Sequence, residues 1–237
     1  MNNVYVFDVD GTLTRSREKI NPDFEEFFLN WMKDKDVILL TGSDRQKTIE
    51  QVGERIWNNS YACMQSCGNH IFQKGSEVYR NEWEADSDLL LLLEDFLQQS
   101  KFKVRTSNHI EHRIGLLNFS IVGRDCSQAE REQYYRWDNE NKERLDFAEE
   151  IMNIFPDVEA SVGGQISIDI HPLGANKGQA KQWILDKFED RAVIHFFGDK
   201  MLKGGNDYDL AKILEKPHKK YSVRNWNDTY KFLKEIS

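Results

Sequence analysis

Short apolar runs separated by amphipathic stretches set the rhythm of this 237-residue chain, the alternation expected of an α/β protein. "VYVF" (4–7) is apolar without interruption, which predicts a buried strand ending at Asp8. "DFEEFFLNWMKD" (23–34) places Phe24, Phe27, Phe28 and Trp31 on one stripe at helical spacing. "DVILLTGS" (36–43) predicts a second buried strand that stops in a polar turn, followed by the helix "DRQKTIEQVGERI". "AVIHFFGDK" (192–200) repeats the strand-then-acid design late in the chain, and "KKYSV" (219–223) predicts one more short strand.

The middle follows a different pattern. After "SEVYRNEWEADSDLLLLLEDFLQQS" comes "KVRTSNHIEHRIGLLNFSIVG", rich in the branched and aromatic residues of sheet. A charged helix over about 127–153 follows, its start marked by Ser127 with Glu130 three residues on, a capping box. "DVEASVGGQISIDIHP" (157–172) returns to strands, with Ile166, Ile168 and Ile170 alternating against Ser167 and Asp169. The expected organisation is a core domain of residues 1–82 plus 175–237, interrupted by a sheet-and-helix insertion at 83–174.

Composition narrows the function classes. With 40 acidic against 32 basic residues the formal charge is −8, which opposes general nucleic-acid binding and makes any phosphate site local. No apolar run approaches the roughly 20 residues of a membrane span, and no basic-then-apolar leader pattern opens the chain. Cys63, Cys67 and Cys126 are sparse and odd in number, and "CMQSC" lacks the second pair that a zinc site needs. The expectation is a soluble cytoplasmic protein with reduced thiols.

The chemistry collects at strand ends. Asp8 and Asp10 sit two apart after the first strand and are expected to share a side at its carboxyl end, the ligand-binding edge of a doubly wound sheet. One carboxylate can attack phosphorus while the other shuttles a proton, and their mutual repulsion calls for a hard cation such as Mg²⁺. "LLTGSD" adds the hydroxyls of Thr41 and Ser43 at a strand-to-helix turn whose N–H groups suit phosphate oxygens. In "GANKGQA", Lys177 is expected in a helix first turn capped by Asn176, an unfavourable place against the helix dipole unless it faces an aspartate or phosphate. "FFGDKMLKGGND" supplies Asp199, Asn206 and Asp207 as further oxygen ligands.

These four segments resemble the motifs of the haloacid dehalogenase (HAD) superfamily of phosphotransferases. "FDVDGTLT", "VGRDCSQAER", "GGQISIDIHP" and "HFFGDKMLKGGND" are similar, in order and over most of the chain, to the eukaryotic-type phosphomannomutases. The resemblance implies a Rossmann-like core with a mainly parallel sheet and an inserted α/β cap, and a Mg²⁺-dependent exchange of hexose 6-phosphate and hexose 1-phosphate, with mannose the favoured sugar. It implies that Asp8 becomes a phosphoaspartate and that Asp10 is the general acid/base and gives Mg²⁺ a backbone oxygen. Asp199 and Asp207 would bind or orient the metal, and Lys177 would steady the nucleophile. Arg17 would approach substrate from the core, while Arg113, Arg124, Arg131, Ser167 and Asp169 would hold the far phosphate in the cap. A hexose 1,6-bisphosphate activator and a homodimer through the cap are implied as well. Arg131 also has a reading of its own: it follows the Ser127 cap, where a helix N-terminus favours an anion, and its fork matches phosphate bidentately.

The chain departs from that family at "LGANK", where the family carries "DGWDK", so an aspartate near the active site is replaced by Asn176; "NKGQA" is closer to sugar-phosphate phosphatases. "YDLAKILEK" (208–216) predicts a helix where the mutases place a loop for an additional ion, and "SCGNHI" (66–71) also differs from the family turn. A sugar-phosphate phosphatase is therefore the alternative. A silent sugar-phosphate-binding protein is disfavoured by the retention of Asp8, Asp10 and Lys177. A polynucleotide 3′-phosphatase is disfavoured by the acidic balance and the large insertion.

Overall fold

The computed structural model describes residues 2–189 and 191–236. Its strands in chain order are β1 (Asn2–Phe7), β2 (Asp36–Leu40), β3 (Ala62–Gln65), β4 (His70–Gln73), β5 (Ser76–Arg80), β6 (Ile110–Arg113), β7 (Leu116–Phe119), β8 (Val158–Gly163), β9 (Ser167–Pro172), β10 (Ala192–Gly198) and β11 (Lys219–Ser222). They form two sheets. One is mainly parallel, in the order β11-β10-β1-β2-β3-β4-β5, with β4 and β5 antiparallel at one edge. The other is antiparallel, in the order β6-β7-β9-β8.

Alternation along β1 sorts the core into two layers. Tyr5 and Phe7 face α1 (Pro22–Trp31), α2 (Arg45–Asn59) and α8 (Trp226–Glu235), where Phe24, Phe28, Trp31, Val52, Ile56 and Leu233 are buried. Val4 and Val6 face α6 (Gln179–Lys187) and α7 (Tyr208–Ile213) through Ile184, Leu210 and Ala211. With both faces covered, "VYVF" has no polar position to show, which is why it is an unbroken apolar run. The predicted stripe on α1 is observed, Phe27 being its partly buried member.

The antiparallel sheet carries its helices on one face only. Leu89, Leu93 and Phe96 of α3 (Ser87–Gln99), Tyr134 of α4 (Gln128–Asn141) and Phe147 and Ile151 of α5 (Glu143–Ile154) close over Leu117, Phe119, Ile168 and Ile170. The polar face of β7 and β9, with Asn118, Ser167 and Asp169, is buried too, because it roofs the cavity described below.

Three expectations need correction. The charged helix over 127–153 is two helices, α4 and α5, broken at Lys142 in the left-handed conformation (φ 61°). The capping box at Ser127 and Glu130 is present. In the stretch after Lys101 only Ile110–Arg113 and Leu116–Phe119 are strands; the strands expected over 157–172 are present as the β8–β9 hairpin. Finally, α6 begins at Gln179, so Lys177 lies in a tight turn ahead of the helix. Asn176 caps that turn, its Oδ1 accepting from the Gly178 N–H (2.8 Å).

The left-handed break gives a stability test. Lys142 is exposed, and a side chain at positive φ is strained by about 1 kcal/mol. Lys142→Gly is expected to stabilise the protein by up to about 1 kcal/mol against denaturant, whereas Lys142→Val lowers the midpoint.

Candidate active site

β1 leaves the sheet at Asp8, whose N–H makes its last bond to the Phe197 carbonyl (3.0 Å). Asp8 continues the Val4–Val6 alternation and so faces the layer of α6 and α7. There Lys177 Nζ donates to Asp8 Oδ1 (2.6 Å) and to Asp207 Oδ1 (2.7 Å), with all three side chains almost fully buried. Asp207 Oδ2 accepts from the Lys200 N–H (2.9 Å), and Asp8 Oδ2 is left without a partner. Carboxylate oxygens of Asp8, Asp199 and Asp207 lie within 4.8 Å of one another, a group of hard donors suited to a divalent cation. Gly11 (φ 90°) is needed here, since a Cβ would stand 2.4 Å from Asp199 Oδ2.

Asp10 is placed by a different rule from the one expected. The chain has already turned at Asp8, so period-two alternation no longer applies, and Asp10 is held in the turn by the Gly11 N–H bond to the Thr14 carbonyl (2.8 Å). Asp10 Oδ1 accepts from the Arg17 N–H (2.8 Å) and Gln51 Nε2 (2.9 Å), and Oδ2 from Ser43 Oγ (3.3 Å). Its carboxylate is therefore outside the group formed by Asp8, Asp199 and Asp207, although both Asp8 and Asp10 line one cavity. Ser43 and Thr41 share the turn after β2, where the Ser43 N–H donates to Thr41 Oγ1 (3.1 Å). The 66–68 turn braces it: Ser66 N–H donates to the Ser43 carbonyl and Cys67 N–H to the Thr41 carbonyl.

The opposite wall is basic. Arg17, Arg113, Arg124 and Arg131 all line the cavity, as do Ser167 and Asp169. Arg124 Nη1 donates to Ser167 Oγ (2.7 Å), and Arg131 keeps a buried Nη2 without a partner. Arg113 is committed elsewhere, donating to the Gly42 carbonyl (2.5 Å) and pairing with Glu111 (3.1 Å). Asn206 also lines the cavity. Asn176 does not: its Nδ2 donates to Glu159 Oε2 (2.6 Å), so this residue joins the turn ahead of α6 to β8.

Gln51, Asn118, Lys47 and Glu111 were not expected. Lys47 on α2 pairs with Glu111 on β6, and Asn118 Nδ2 donates to Asp169 Oδ1 (2.6 Å). Lys47 and Gln51 are one helical turn apart and both follow the "TGS" turn, a spacing that would have pointed to them.

The charges shift in opposite senses at the two ends. Burial pushes the Asp8 carboxyl well above its ordinary range, and Asp207 and Asp199 add to this against the pull of Lys177. Burial likewise pushes Asp199 up to about 7, with Asp207 contributing. Desolvation disfavours the Lys177 ammonium, but Asp207 and Asp8 reverse that and hold it charged. On the basic wall, burial and then the Arg113 and Arg17 charges press Arg124 downward, and burial and Arg17 do the same to Arg131. Both walls thus hold like charge in excess, which counter-ions of opposite sign would relieve.

A doubly wound core whose strand ends gather two aspartates, a hydroxyl turn, a buried lysine and a second acid pair defines a phosphoryl-transfer enzyme of the HAD fold. The full chain superimposes on a haloacid dehalogenase-like hydrolase from Bacteroides thetaiotaomicron (TM-score 0.63, 12% identity, 100% of each chain covered). It also superimposes on an N-terminally truncated, IMP-bound IMP-nucleotidase from Plasmodium falciparum (TM-score 0.67, 16% identity, 99% of this chain and 68% of that one). Residues 24–237 match the family model of eukaryotic phosphomannomutase, and the chain belongs to that family. It is 31% identical to phosphomannomutase 1 of Dictyostelium discoideum over 244 residues, covering 99% of this chain and 96% of that protein. It is 33% identical to the phosphomannomutase of Drosophila melanogaster over 242 residues, covering 98% and 94%.

Lys177 is the stability-critical member of the site. Lys177→Met leaves Asp8 and Asp207 buried side by side without their cation, and is expected to cost about 3–5 kcal/mol by denaturant titration. Adding Asp207→Asn in the same chain removes one of the two stranded charges and is expected to recover part of the loss.

Proposed function

We propose that this protein is a Mg²⁺-dependent phosphotransferase that interconverts hexose 6-phosphate and hexose 1-phosphate through a phosphoaspartyl enzyme, mannose being the favoured sugar. The observation that carries this reading is one cavity with an acidic floor and an arginine-rich roof. Asp8 Oδ2 is unpartnered at the floor, and Arg131 Nη2 is unpartnered at the roof. A sugar that carries phosphate at both ends offers Asp8 Oδ2 a phosphorus to attack at one end and Arg131 Nη2 an acceptor at the other.

In this mechanism Asp8 Oδ2 attacks phosphorus, a new O–P bond forms, and the O–P bond to the sugar breaks. Lys177, held on Oδ1, orients the carboxylate and spreads its charge. Asp10 gives the leaving sugar oxygen a proton and takes one back when the other hydroxyl attacks the phosphoaspartate. The Gln51 and Arg17 bonds hold Asp10 Oδ1, so Oδ2, beside Ser43, is the oxygen free for that transfer. Asp8, Asp199 and Asp207 would hold Mg²⁺, with the backbone oxygen of Asp10 and the Asn206 side chain completing the set; all-oxygen donors within 4.8 Å of one another fit a hard cation. When bound, the ion neutralises the acidic floor and the transferring phosphoryl group.

Residues 83–174 act as the cap. The cavity holds about 50 Å³, room for a few waters and far less than a sugar phosphate, so the cap must lift to admit substrate. The joints it would release are the Lys47–Glu111 pair, the bonds from Arg113 to the Gly42 carbonyl and from Arg17 to the Arg124 carbonyl (2.9 Å), and the Val162 N–H bond to the Gly204 carbonyl (2.9 Å). A closed cap excludes water, which is what directs the phosphoryl group to a sugar hydroxyl instead of to hydrolysis.

The deciding assay supplies mannose 1-phosphate and Mg²⁺ with and without catalytic hexose 1,6-bisphosphate. Bisphosphate-dependent appearance of mannose 6-phosphate is expected. Stoichiometric phosphate release in both tubes would identify a sugar-phosphate phosphatase instead. Asp8→Asn is expected to abolish turnover by at least 10³-fold, and normal turnover in that variant would remove Asp8 as nucleophile.

Metal binding has a signed pH dependence. Asp199 is raised to about 7, so without a cation the folded protein keeps a proton that the unfolded chain loses near pH 4. Its contribution to stability therefore falls as pH rises between about 4 and 7. Mg²⁺ must displace that proton, so the rise in melting temperature on adding Mg²⁺ is expected to be larger at pH 8 than at pH 6. An equal shift at both would dissociate Asp199 from the metal.

A further inference from the structure

The break between α4 and α5 delivers a side chain to the back of the cavity roof. Asp138 lies near the end of α4 and Arg144 near the start of α5, and both are buried, with side chains 6% and 3% exposed. Asp138 Oδ1 accepts from the Arg144 N–H (2.9 Å) and Oδ2 from Arg144 Nε (2.8 Å), so the carboxylate closes the bend that left-handed Lys142 opens. The guanidinium reaches past it. Arg144 Nη1 points at three carbonyls of the β8–β9 turn: Gly163 (3.3 Å), Gly164 (3.4 Å) and Ser167 (3.2 Å).

That turn packs closely at Gly163 and lines the cavity through Gln165. A Cβ on Gly163 would stand 2.3 Å from Asp169 Oδ2, Gly164 has φ 50°, and Gln165 keeps a buried Oε1 without a partner while lining the cavity. Ser167, at its end, receives Arg124. A trans peptide that presents its carbonyl to Arg144 turns the following N–H the opposite way, so the grip also orients the Gly164 and Gln165 amides. The other end of α4 carries Arg131, in its first turn. One buried pair therefore ties the helix that bears Arg131 to the turn that bears Gln165 and Ser167.

We infer that the Asp138–Arg144 pair is a clamp that positions the phosphate-receiving roof, with Arg144 a positioning residue that touches neither substrate nor metal. Its worth lies in geometry: a planar guanidinium satisfies a carboxylate and several carbonyls at once, which neither an ammonium nor an apolar group of the same length does. The inference rests on the reading of the roof as the far-phosphate site.

The test compares two phosphoryl donors on the same protein. Hexose 1,6-bisphosphate reaches both the floor and the roof, whereas acetyl phosphate has a single phosphate and nothing to offer the roof. Phosphorylation of Asp8 is followed with each donor in wild type, Arg144→Met and Arg144→Lys, beside thermal unfolding. Arg144→Met is expected to raise the half-saturating bisphosphate concentration at least tenfold while the rate with acetyl phosphate stays within about twofold, and Arg144→Lys falls between. An unchanged bisphosphate requirement, or an equal loss with both donors, overturns the clamp. Should Arg144→Met not fold, Arg144→Lys decides, and wild-type behaviour or unfolding of that variant overturns it as well. If the wild-type protein shows no preference for the bisphosphate over acetyl phosphate, the far-phosphate reading itself falls and takes the clamp with it, an outcome distinct from variants that match a bisphosphate-preferring wild type.

Discussion

One buried cation holds this site together. Lys177 is fully enclosed, and it is tolerable there only because its ammonium lies between Asp8 and Asp207. Those three residues come from the end of β1, the turn before α6 and the turn before α7, elements far apart in the chain. The pairing demands that α6 and α7 lie on the same face of the sheet, which is the face that Val4, Val6 and then Asp8 present. Burying one lysine thus constrains sheet order, helix placement and the direction of the Asp8 carboxylate together.

The remaining charges are divided between floor and roof. The floor has more carboxylates than Lys177 can neutralise, and the roof has more guanidiniums than Glu111 and Asp169 can. Burial pushes Glu111 up, yet Arg113, Lys47 and Arg124 together hold it well below the usual carboxylate range, so it stays an anion and staples the roof to α2. Such a division is costly in an empty cavity and favourable around a ligand with a cation at one end and phosphate at both. In the proposed reaction the joints that close the roof over the floor have to open to admit that ligand.

Much of this was legible in the order of residues. β1, β2, β10, β11, the stripe on α1, the Ser127 capping box and the acids at strand ends all follow from local rules: unbroken apolar runs, helical spacing and turn chemistry. Each named site residue lies at the cavity or in the buried triad. The misses share a cause. Asp10 was assigned by strand periodicity that stops two residues before it, and α4–α5 was read as one helix because Lys142 carries no sign of a left-handed residue. Asn176 lies beside the buried triad as expected, but what its amide meets, Glu159 of β8, could not be read from the chain.

Local pattern thus determines which residues can be strand, helix or nucleophile, because propensity and alternation act between near neighbours. It does not determine partners separated by a hundred residues. That Lys177 meets Asp8, that Glu111 meets Lys47, and that Arg144 reaches the Gly163–Ser167 turn are consequences of chain crossing and layer packing. Burial then makes each of these contacts obligatory, since an ion removed from water and left unpaired costs several kcal/mol.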